Sequence, residues 1–362
     1  MKKNQLILGL VVLVAIVALL AWGRQRFHFD FGVFRTQLAQ ADLIKICIGF
    51  ACILVAYGFR ALRWEFLLRH NMKVRPLSLL GTQVIGFTAI ALIGRVADPV
   101  RPYLVAKKTG LPITNQIAVY IVERLFDAGT MALIFSSAIL LSSWFGTSGA
   151  MPHAELVKRS GYWGLGLTVL GALFLVAVRL AGTWVASFLE GSFGLISKKI
   201  GHAVGEKIRA FHTGLDTMRS FGDFALAASL SVGMWLLIAL AYIETMRAFV
   251  ASPQLAATTP ANCVLMMVVS GGASAFQLPV IGWFTQIGAV AAALSGFFGA
   301  APEAATACAA TLLLVSFLGV IPIGLVWAQF ENISLRKVTV ESEHEVEALA
   351  DDTSVEPASP TS

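Results

Sequence analysis

Long apolar runs, each bounded by polar or charged residues, follow one another along most of this chain. They cover residues 6–22, 41–59, 112–141, 161–180, 224–250 and 302–327. A helix needs about 20 such residues to cross the roughly 30 Å hydrocarbon core of a bilayer. The pattern therefore predicts an all-α polytopic membrane protein with about six transmembrane helices.

Two further apolar segments are interrupted by residues that break helices. Residues 77–106 contain Gly94 and Pro99, and residues 261–298 contain Pro279 near their middle. Broken backbone is tolerated at membrane depth only where it is buried in protein or lines a wet cavity. We therefore expect two re-entrant helical hairpins, one from each membrane face. An arrangement in which eight helices all span the membrane is the alternative, and it distributes the basic connectors less well.

The order of these elements is repeated. A span, a hairpin and a long span occupy residues 41–141, and the same order recurs over residues 224–327. The two units would have opposite orientations, which is the inverted-repeat arrangement of many transporters, with the ligand site between the repeats. Residue identities do not link the two halves, so this prediction rests on the lengths and breaks alone.

Composition and charge agree with a membrane location. The 362 residues are 57% hydrophobic and 13% charged, against about 25% charged in soluble domains, and the mean hydropathy is +0.76. The net charge of +6 does not indicate nucleic-acid binding, because Lys and Arg concentrate in alternate connectors. This distribution predicts a multi-pass plasma-membrane protein, in a bacterial inner membrane, with cytoplasmic termini and an amphipathic cytoplasmic connector over residues 181–222.

The two ends of the chain differ from its centre. Residues 1–40 are predicted to form an N-terminal membrane helix and a periplasmic connector. A cleaved signal peptide is the alternative, although its apolar core is normally only about 7–15 residues long. Residues 41–330 form the predicted transmembrane domain. Residues 331–362 are polar and acidic, and they are predicted to be a disordered cytoplasmic tail.

Ionisable residues are concentrated among the apolar residues between positions 93 and 127. Each would cost about 2.5–3.5 kcal/mol at the bilayer centre, and intramembrane charges generally face a protein interior or cavity and pair with one another. The candidate site therefore consists of Arg95, Asp98, Arg101, Glu123, Arg124 and Asp127. The alternative is that this network only locks a hairpin to a helix.

The residue types suggest the ligand. Glu123 and Asp127 are four residues apart, so they share a helix face and repel unless cations lie between them. Arginines with a few acids suit a phosphate-bearing head group, because guanidinium groups bind phosphate in a bidentate manner. Further cavity lining is expected from Tyr120, Gln277, Thr285 and Gln286; ordinary amides that pack between helices are the alternative for the glutamines.

A basic flank follows the predicted second span. Arg60, Arg63 and Trp64 are placed at the membrane interface by this reasoning, either as a positive-inside flank or in contact with lipid phosphates. The sequence has no Ser/His/Asp spacing, phosphate-binding loop or metal motif, and its four cysteines form no cluster. We therefore expect no catalytic residues, no metal and no cofactor.

Three stretches resemble the lysylphosphatidylglycerol synthase transmembrane family, also called flippase-like. They are RALRW at residues 60–64, the segment 94–110 and VERLFD at residues 122–127. The resemblance covers roughly residues 41–327. Two departures are visible: Ala97-Asp98 stands where the family has Gly-Glu, and Gln286 stands where it has a glutamate. An acid-dependent step at the second position is therefore in doubt.

The resemblance implies a function. A member without the family's soluble aminoacyl-transferase domain would bind a membrane phospholipid or similar polar lipid and move it between leaflets. One alternative is a lipid-modifying transferase of the membrane, or its membrane subunit; another is a non-transporting scaffold. Nucleic acid is not an expected partner, and a homo-oligomer stays open.

Overall fold

A computed structural model describes residues 29–69, 72–144, 154–195, 197–215, 221–275 and 281–352. Every regular element in these ranges is helical. The helices are α1 Phe31–Ala39, α2 Leu43–Leu68, α3 Pro76–Ile93, α4 Val100–Thr109, α5 Ile113–Trp144, α6 Ala154–Gly194, α7 Lys198–Leu215, α8 Phe221–Arg247, α9 Pro253–Ala256, α10 Pro260–Ala275, α11 Ile281–Phe298, α12 Pro302–Ser316, α13 Ile321–Phe330 and α14 Leu335–Asp352. Two short 3-10 turns cover Arg95–Ala97 and Leu318–Val320.

Six helical segments in the described part of the chain are long and apolar enough to cross a membrane. They comprise α2, α3, most of α5, α8, α11, and α12 together with α13. This confirms the prediction of an all-α multi-pass membrane protein. The predicted first span, residues 6–22, lies outside the described residues, and the predicted span 161–180 falls within α6.

Helices α2 and α8 form the central antiparallel pair. Gly49 contacts Thr245 near one end, Phe59 contacts Gly233 in the middle, and Arg63 bonds to Ser231 beyond it. Later residues of α2 contact earlier residues of α8, so the two helices run in opposite directions over most of their length. Each of them begins one of the two halves that the sequence suggested.

The first half reverses direction between α3 and α4. Gly94 ends α3 with φ +95°, a conformation that glycine adopts far more easily than other residues. Arg101 of α4 then returns alongside α3, where its Nε donates to Gln83 Oε1 at 3.0 Å. Gly86 leaves room for the Arg101 side chain, which contacts the position that a Cβ would occupy. The reversal lies at the helix break that the sequence analysis placed at Gly94.

The second half contains a comparable pair, α10 and α11. Gln286 Nε2 of α11 donates to Ser270 Oγ of α10 at 2.7 Å, so these helices also lie side by side. The predicted break around Pro279 and Gln277 lies in residues 276–280, outside the described residues.

The predicted last span is divided. Helix α12 ends at Ser316, because the next residue, Phe317, has a φ of −139° and a ψ of −59°, which are not helical; α13 starts after a 3-10 turn. Pro322 cannot donate the backbone hydrogen bond that a continuous helix would need at that position. The bend brings Gly324 of α13 against Thr88 of α3.

The predicted disordered tail is wrong for much of its length. Residues Leu335–Asp352 form α14, in which Val338 and Ser342 are buried. Val338 packs with a cluster that includes Leu104 of α4, and Tyr103 donates to Glu341 at 2.9 Å. The acidic composition suggested solvation, but apolar residues spaced three apart at 335 and 338 give this helix one packing face. The connector predicted at the end of residues 1–40 contains a helix, α1, which Asp30 caps.

Candidate functional site: a buried arginine–carboxylate cluster

Glu123, on α5, is the centre of a buried ionic cluster. Its Oε1 lies 2.8 Å from Arg101 Nη2 and 2.7 Å from Arg124 Nη2. Arg63 Nη2 lies 3.0 Å from the same oxygen. Arg101 reaches it from α4 and also donates to Oε2 at 2.9 Å. Three helices, α2, α4 and α5, therefore converge on one carboxylate.

Asp127 lies one turn further along the same face of α5. Its Oδ1 accepts from Arg63 Nη1 at 2.7 Å and from Trp235 Nε1 at 3.2 Å. Its Oδ2 lies 3.0 Å from Arg124 Nη2. Arg63 Nη1 also donates to Ser231 Oγ at 2.7 Å. Because Trp235 and Ser231 are on α8, these bonds tie the cluster to the second half of the molecule.

Arg60 is the least satisfied member of the cluster. Its Nη1 lies 3.5 Å from Glu123 Oε1 and 3.8 Å from Asp127 Oδ2, distances too long for hydrogen bonds. That nitrogen is buried without a hydrogen-bond partner. The guanidinium lies 4.8 Å from the centre of the Phe87 ring, which is a favourable cation–π position. Arg60 therefore retains unused capacity to bind an anion.

The cluster carries a formal excess of positive charge. Four arginines surround two carboxylates, so two positive charges have no counter-charge within it. Buried charges are expensive unless they are paired and hydrogen-bonded. The formal charge of +2 therefore favours an anion beside the cluster.

A cavity of about 220 Å³ lies beside the cluster, between the two halves. Arg60, Arg101 and Arg124 form its charged wall. Apolar side chains, including Phe87 of α3 and Ile238 of α8, line part of the remainder. The arginines with the positive excess therefore face a cavity between the two halves.

The wall opposite comes from α8, α10 and α11, and it is polar but uncharged. Tyr242 OH donates to Ser270 Oγ at 2.9 Å, and Gln286 Nε2 donates to the same oxygen at 2.7 Å. All three residues are buried. Gln286 Oε1 is buried and has no hydrogen-bond partner.

The two helix pairs meet at the cavity edge. Arg95 Nε donates to the Ser274 carbonyl at 3.0 Å and Nη2 donates to Ser274 Oγ at 3.1 Å. Trp283 Nε1 donates to the Ala91 carbonyl at 3.1 Å. These bonds join the end of α3 and the following turn to α10 and α11.

A family model described as the lysylphosphatidylglycerol synthase TM region matches residues 6–324. This range covers most of the chain and includes every residue of the cluster. The chain belongs to the lysylphosphatidylglycerol synthase transmembrane-region family. No curated protein and no solved structure matches it.

Four of the six ionisable residues that the sequence analysis named as the candidate site come together in the cluster. They are Arg101, Glu123, Arg124 and Asp127. Arg95 and Asp98 lie apart from them at the cavity edge, with Arg95 Nη1 3.7 Å from Asp98 Oδ2. These two residues therefore line the cavity but pair with each other and not with the carboxylates of α5.

The interface prediction for Arg60, Arg63 and Trp64 is wrong. Arg63 and Trp64 are 1% exposed, and Trp64 Nε1 donates to Gln116 Oε1 at 3.2 Å. Helix α2 continues to Leu68, past the predicted end at residue 59, because the intervening residues contain no helix breaker. The spacing of Arg60 and Arg63, three residues apart on one helix face, was the available signal that they act together.

The predicted secondary lining is mixed. Gln286 lines the cavity, and Tyr120 supports it from behind, with its ring centre 5.5 Å from the Arg101 guanidinium carbon. Thr285 is exposed and donates to the Gly282 carbonyl, so its predicted role is wrong. Gln277 lies outside the described residues. The sequence analysis missed Tyr242 and Ser270, which no charge or motif distinguishes from other residues of apolar helices.

Proposed function

We propose that this protein binds the phosphate of a polar lipid head group in the cavity and moves the lipid between the two leaflets of the membrane. The observation that carries the proposal is the excess of two positive charges in a largely buried cluster that lines a cavity. Membership of the lysylphosphatidylglycerol synthase transmembrane-region family supports a role that involves membrane lipid.

Arg60, Arg101 and Arg124 would hold the phosphate. All three face the cavity, and guanidinium groups form strong charge-assisted hydrogen bonds with phosphate oxygens. Arg60 would contribute most to the change on binding, because its buried Nη1 has no hydrogen-bond partner within the protein. A phosphodiester would supply the missing negative charge.

Glu123 and Asp127 would orient the arginines rather than contact the lipid. Glu123 Oε1 lies within 3.0 Å of nitrogens on Arg63, Arg101 and Arg124, so the carboxylate fixes their positions before a ligand arrives. Arg63 bonds to Asp127 and Ser231 and does not line the cavity, which suits a structural role. Preorganisation of this kind reduces the ordering cost of binding.

The size of the cavity suits a head group alone. Its volume of about 220 Å³ is below the roughly 300–1,000 Å³ of pockets that enclose drug-sized ligands. The acyl chains would therefore stay in the bilayer while the head group enters. The two helix pairs, α3 with α4 and α10 with α11, would be the re-entrant hairpins, and separation of the contacts at Arg95 and Trp283 would open one side of the cavity.

Translocation is tested with the full chain in vesicles of dioleoylphosphatidylcholine that contain a trace of acyl-labelled phosphatidylglycerol. Dithionite added outside the vesicles reduces only the label in the outer leaflet unless labelled lipid crosses the membrane. With the protein present, dithionite should also reduce the label that began in the inner leaflet. Arg60→Met should slow this second phase at least about tenfold, because a hydrogen bond to a charged group contributes about 1.5–3 kcal/mol. Lys73→Met, an exposed lysine outside the cavity, is the matched control. Vesicles with wild-type protein that behave like empty ones would refute the proposal.

The hairpin arrangement has its own test. If α3 and α4 enter and leave the membrane on the same side, Lys73→Cys and Lys107→Cys should react with a membrane-impermeant maleimide from the same side. The proposal also places that side in the cytoplasm of a bacterial inner membrane, where the basic connectors would lie. Labelling of the two cysteines from opposite sides would rule out a hairpin.

A further inference from the structure

The C-terminal helix α14 packs against the first helix pair, α3 with α4. It lies beyond residues 6–324, the part of the chain that the family model matches. It contacts α4 and the 3-10 turn at Arg95–Ala97. Val338 of α14 is 4% exposed and belongs to the same apolar cluster as Ala97 and Leu104. The arginine–carboxylate cluster gives this helix no role, so its position calls for a separate account.

The start of α14 is held at one end of α4. Lys108, in the last turn of α4, donates from Nζ to Glu331 Oε1 at 2.7 Å. Asn332 then turns the chain with a φ of +52°, a left-handed conformation that asparagine adopts more readily than most residues. Further along, Glu341 accepts a hydrogen bond from Tyr103 of α4. Helix α14 therefore runs back along α4 towards the turn that precedes it.

Helix α14 lies on the side of α4 that faces away from the cavity. Arg101 points from α4 to Glu123 and lines the cavity. Tyr103 follows Arg101 by two positions, and at 3.6 residues per turn such residues point to nearly opposite sides of a helix. Its hydroxyl donates to Glu341 Oε2 at 2.9 Å. Helix α4 is therefore held between α14 and the charged cluster, so docked α14 blocks movement of α4 away from the cluster.

The face of α14 that packs on α4 is narrow. Among the residues of α14 whose burial the structure describes, Val338 is the only buried apolar one, and its buried neighbours Thr339 and Ser342 are polar. Glu345 and Glu347 are exposed. Carboxylates are expensive within hydrocarbon, so the outer face of the docked helix must lie in water. A narrow contact next to water suits a helix that docks and leaves reversibly.

We propose that α14 is an autoinhibitory helix: while docked, it holds α4 and the turn that carries Arg95 in place and keeps the cavity closed, and its release permits the cavity to open. The inference rests on the proposed function for the movement of the first helix pair. It adds a regulatory element outside the part of the chain that the family model matches.

Opening is measured by the reaction of a cysteine inside the cavity with a membrane-impermeant maleimide. Ser270 is 4% exposed and lines the cavity, so Ser270→Cys is introduced into a full chain whose four native cysteines are replaced by alanine. Val338→Asp should raise the labelling rate about tenfold, because loss of one buried valine contact shifts an equilibrium by at least this factor. Val340→Asp, in the same helix at a residue that is 46% exposed, should leave the rate unchanged.

Hydrogen exchange shows whether the helix has left α4. Val338→Asp should lower the amide protection of α14, and Val340→Asp should retain it. Unchanged protection in Val338→Asp would overturn the inference, since the docking contact would then not hold the helix. A released helix with an unchanged or slower labelling of Ser270→Cys would overturn it as well. If Val338→Asp does not fold, Tyr103→Phe, which removes one hydrogen bond, replaces it, with an expected increase of about threefold in the labelling rate.

A cross-link tests the opposite direction. Tyr103→Cys with Glu341→Cys, joined by a short bismaleimide, should fix α14 on α4 and slow translocation of labelled lipid at least about fivefold. The same variant treated with N-ethylmaleimide, which modifies both cysteines without joining them, is the matched control and should not be slowed. Unchanged translocation after cross-linking would contradict an inhibitory role.

The outcomes separate this inference from the proposed function. Faster labelling of the cavity in Val338→Asp, without translocation by any form of the protein, would uphold the inhibitory role of α14 and refute lipid transport. Translocation by the wild-type chain at a rate that neither Val338→Asp nor the cross-link changes would uphold transport and overturn the inference.

Discussion

Arg60 and Arg63 lie one turn apart on α2, and the structure gives them opposite roles. Arg63 is 1% exposed and bonds to Asp127 at 2.7 Å, to Ser231 at 2.7 Å and to Glu123 at 3.0 Å. Arg60 approaches the two carboxylates only to 3.5 and 3.8 Å. Substitution of each arginine by methionine retains most of the apolar stem and removes the charge, so the pair forms a controlled comparison.

The expected losses of stability differ in size. Removal of one partner from a buried ion pair costs about 3–5 kcal/mol, which changes the unfolding equilibrium by roughly 10² to 10⁴. We assign this range to Arg63→Met, because it leaves Asp127 without its shortest ion pair. Arg60→Met forfeits only long ion pairs and a cation–π contact of about 0.5–1 kcal/mol, and it lowers the positive excess of the cluster. Its expected cost is about 1 kcal/mol or less.

Steric trapping of the full chain in detergent micelles measures the free energy of unfolding for both variants. The same preparations are then tested for translocation of labelled phosphatidylglycerol. We expect Arg63→Met to lose stability and Arg60→Met to lose transport while it remains folded. Equal destabilisation by the two substitutions, or a neutral Arg63→Met, would refute the division of the cluster into structural and ligand-binding arginines.

Two further predictions concern packing and the C-terminal helix. A methyl group at Gly324 would lie 2.8 Å from Thr88 Cβ, so Gly324→Ala should destabilise the protein by about 1–3 kcal/mol; Gly166→Ala, with no atom near its Cβ, should be neutral or stabilising in the same unfolding measurement. The Tyr103 hydroxyl, which donates to Glu341, lowers the pKa of that carboxyl. A lowered folded-state pKa stabilises the docked helix above the ordinary glutamate value of about 4.3. Hydrogen-exchange protection factors of α14 should therefore be retained near neutral pH and fall as the pH drops through the lowered value, and Tyr103→Phe should weaken this dependence; protection that rises in acid would contradict it.

The sequence predicted the helical membrane fold because long apolar runs leave few alternatives in a bilayer. It also grouped Arg101 with Glu123 and Asp127, because helix periodicity places the two acids on one face and the reversal at Gly94 returns an arginine beside α3. Charge in an apolar segment is an energetic anomaly that can be recognised without coordinates.

Other features of the site could not be predicted in this way. Arg60 and Arg63 follow an apolar run, where basic residues usually mark the membrane surface, so only tertiary contacts show that α2 carries them inward. Thr285 and Gln286 are adjacent on α11, and the sequence does not indicate which of the two faces the interior. Tyr242 and Ser270 belong to different helices, and only the packing of α8 on α10 brings them together.

The excess positive charge of the arginine–carboxylate cluster also affects how this protein must be handled in the laboratory. A cavity beside two unpaired positive charges is expected to bind a small oxyanion from the buffer, such as phosphate, sulfate or citrate. Such an ion would raise the apparent melting temperature in proportion to the logarithm of its concentration and would compete with an added lipid. Preparations in chloride with a neutral amine buffer should therefore be less heat-stable and more responsive to lipid than preparations in phosphate.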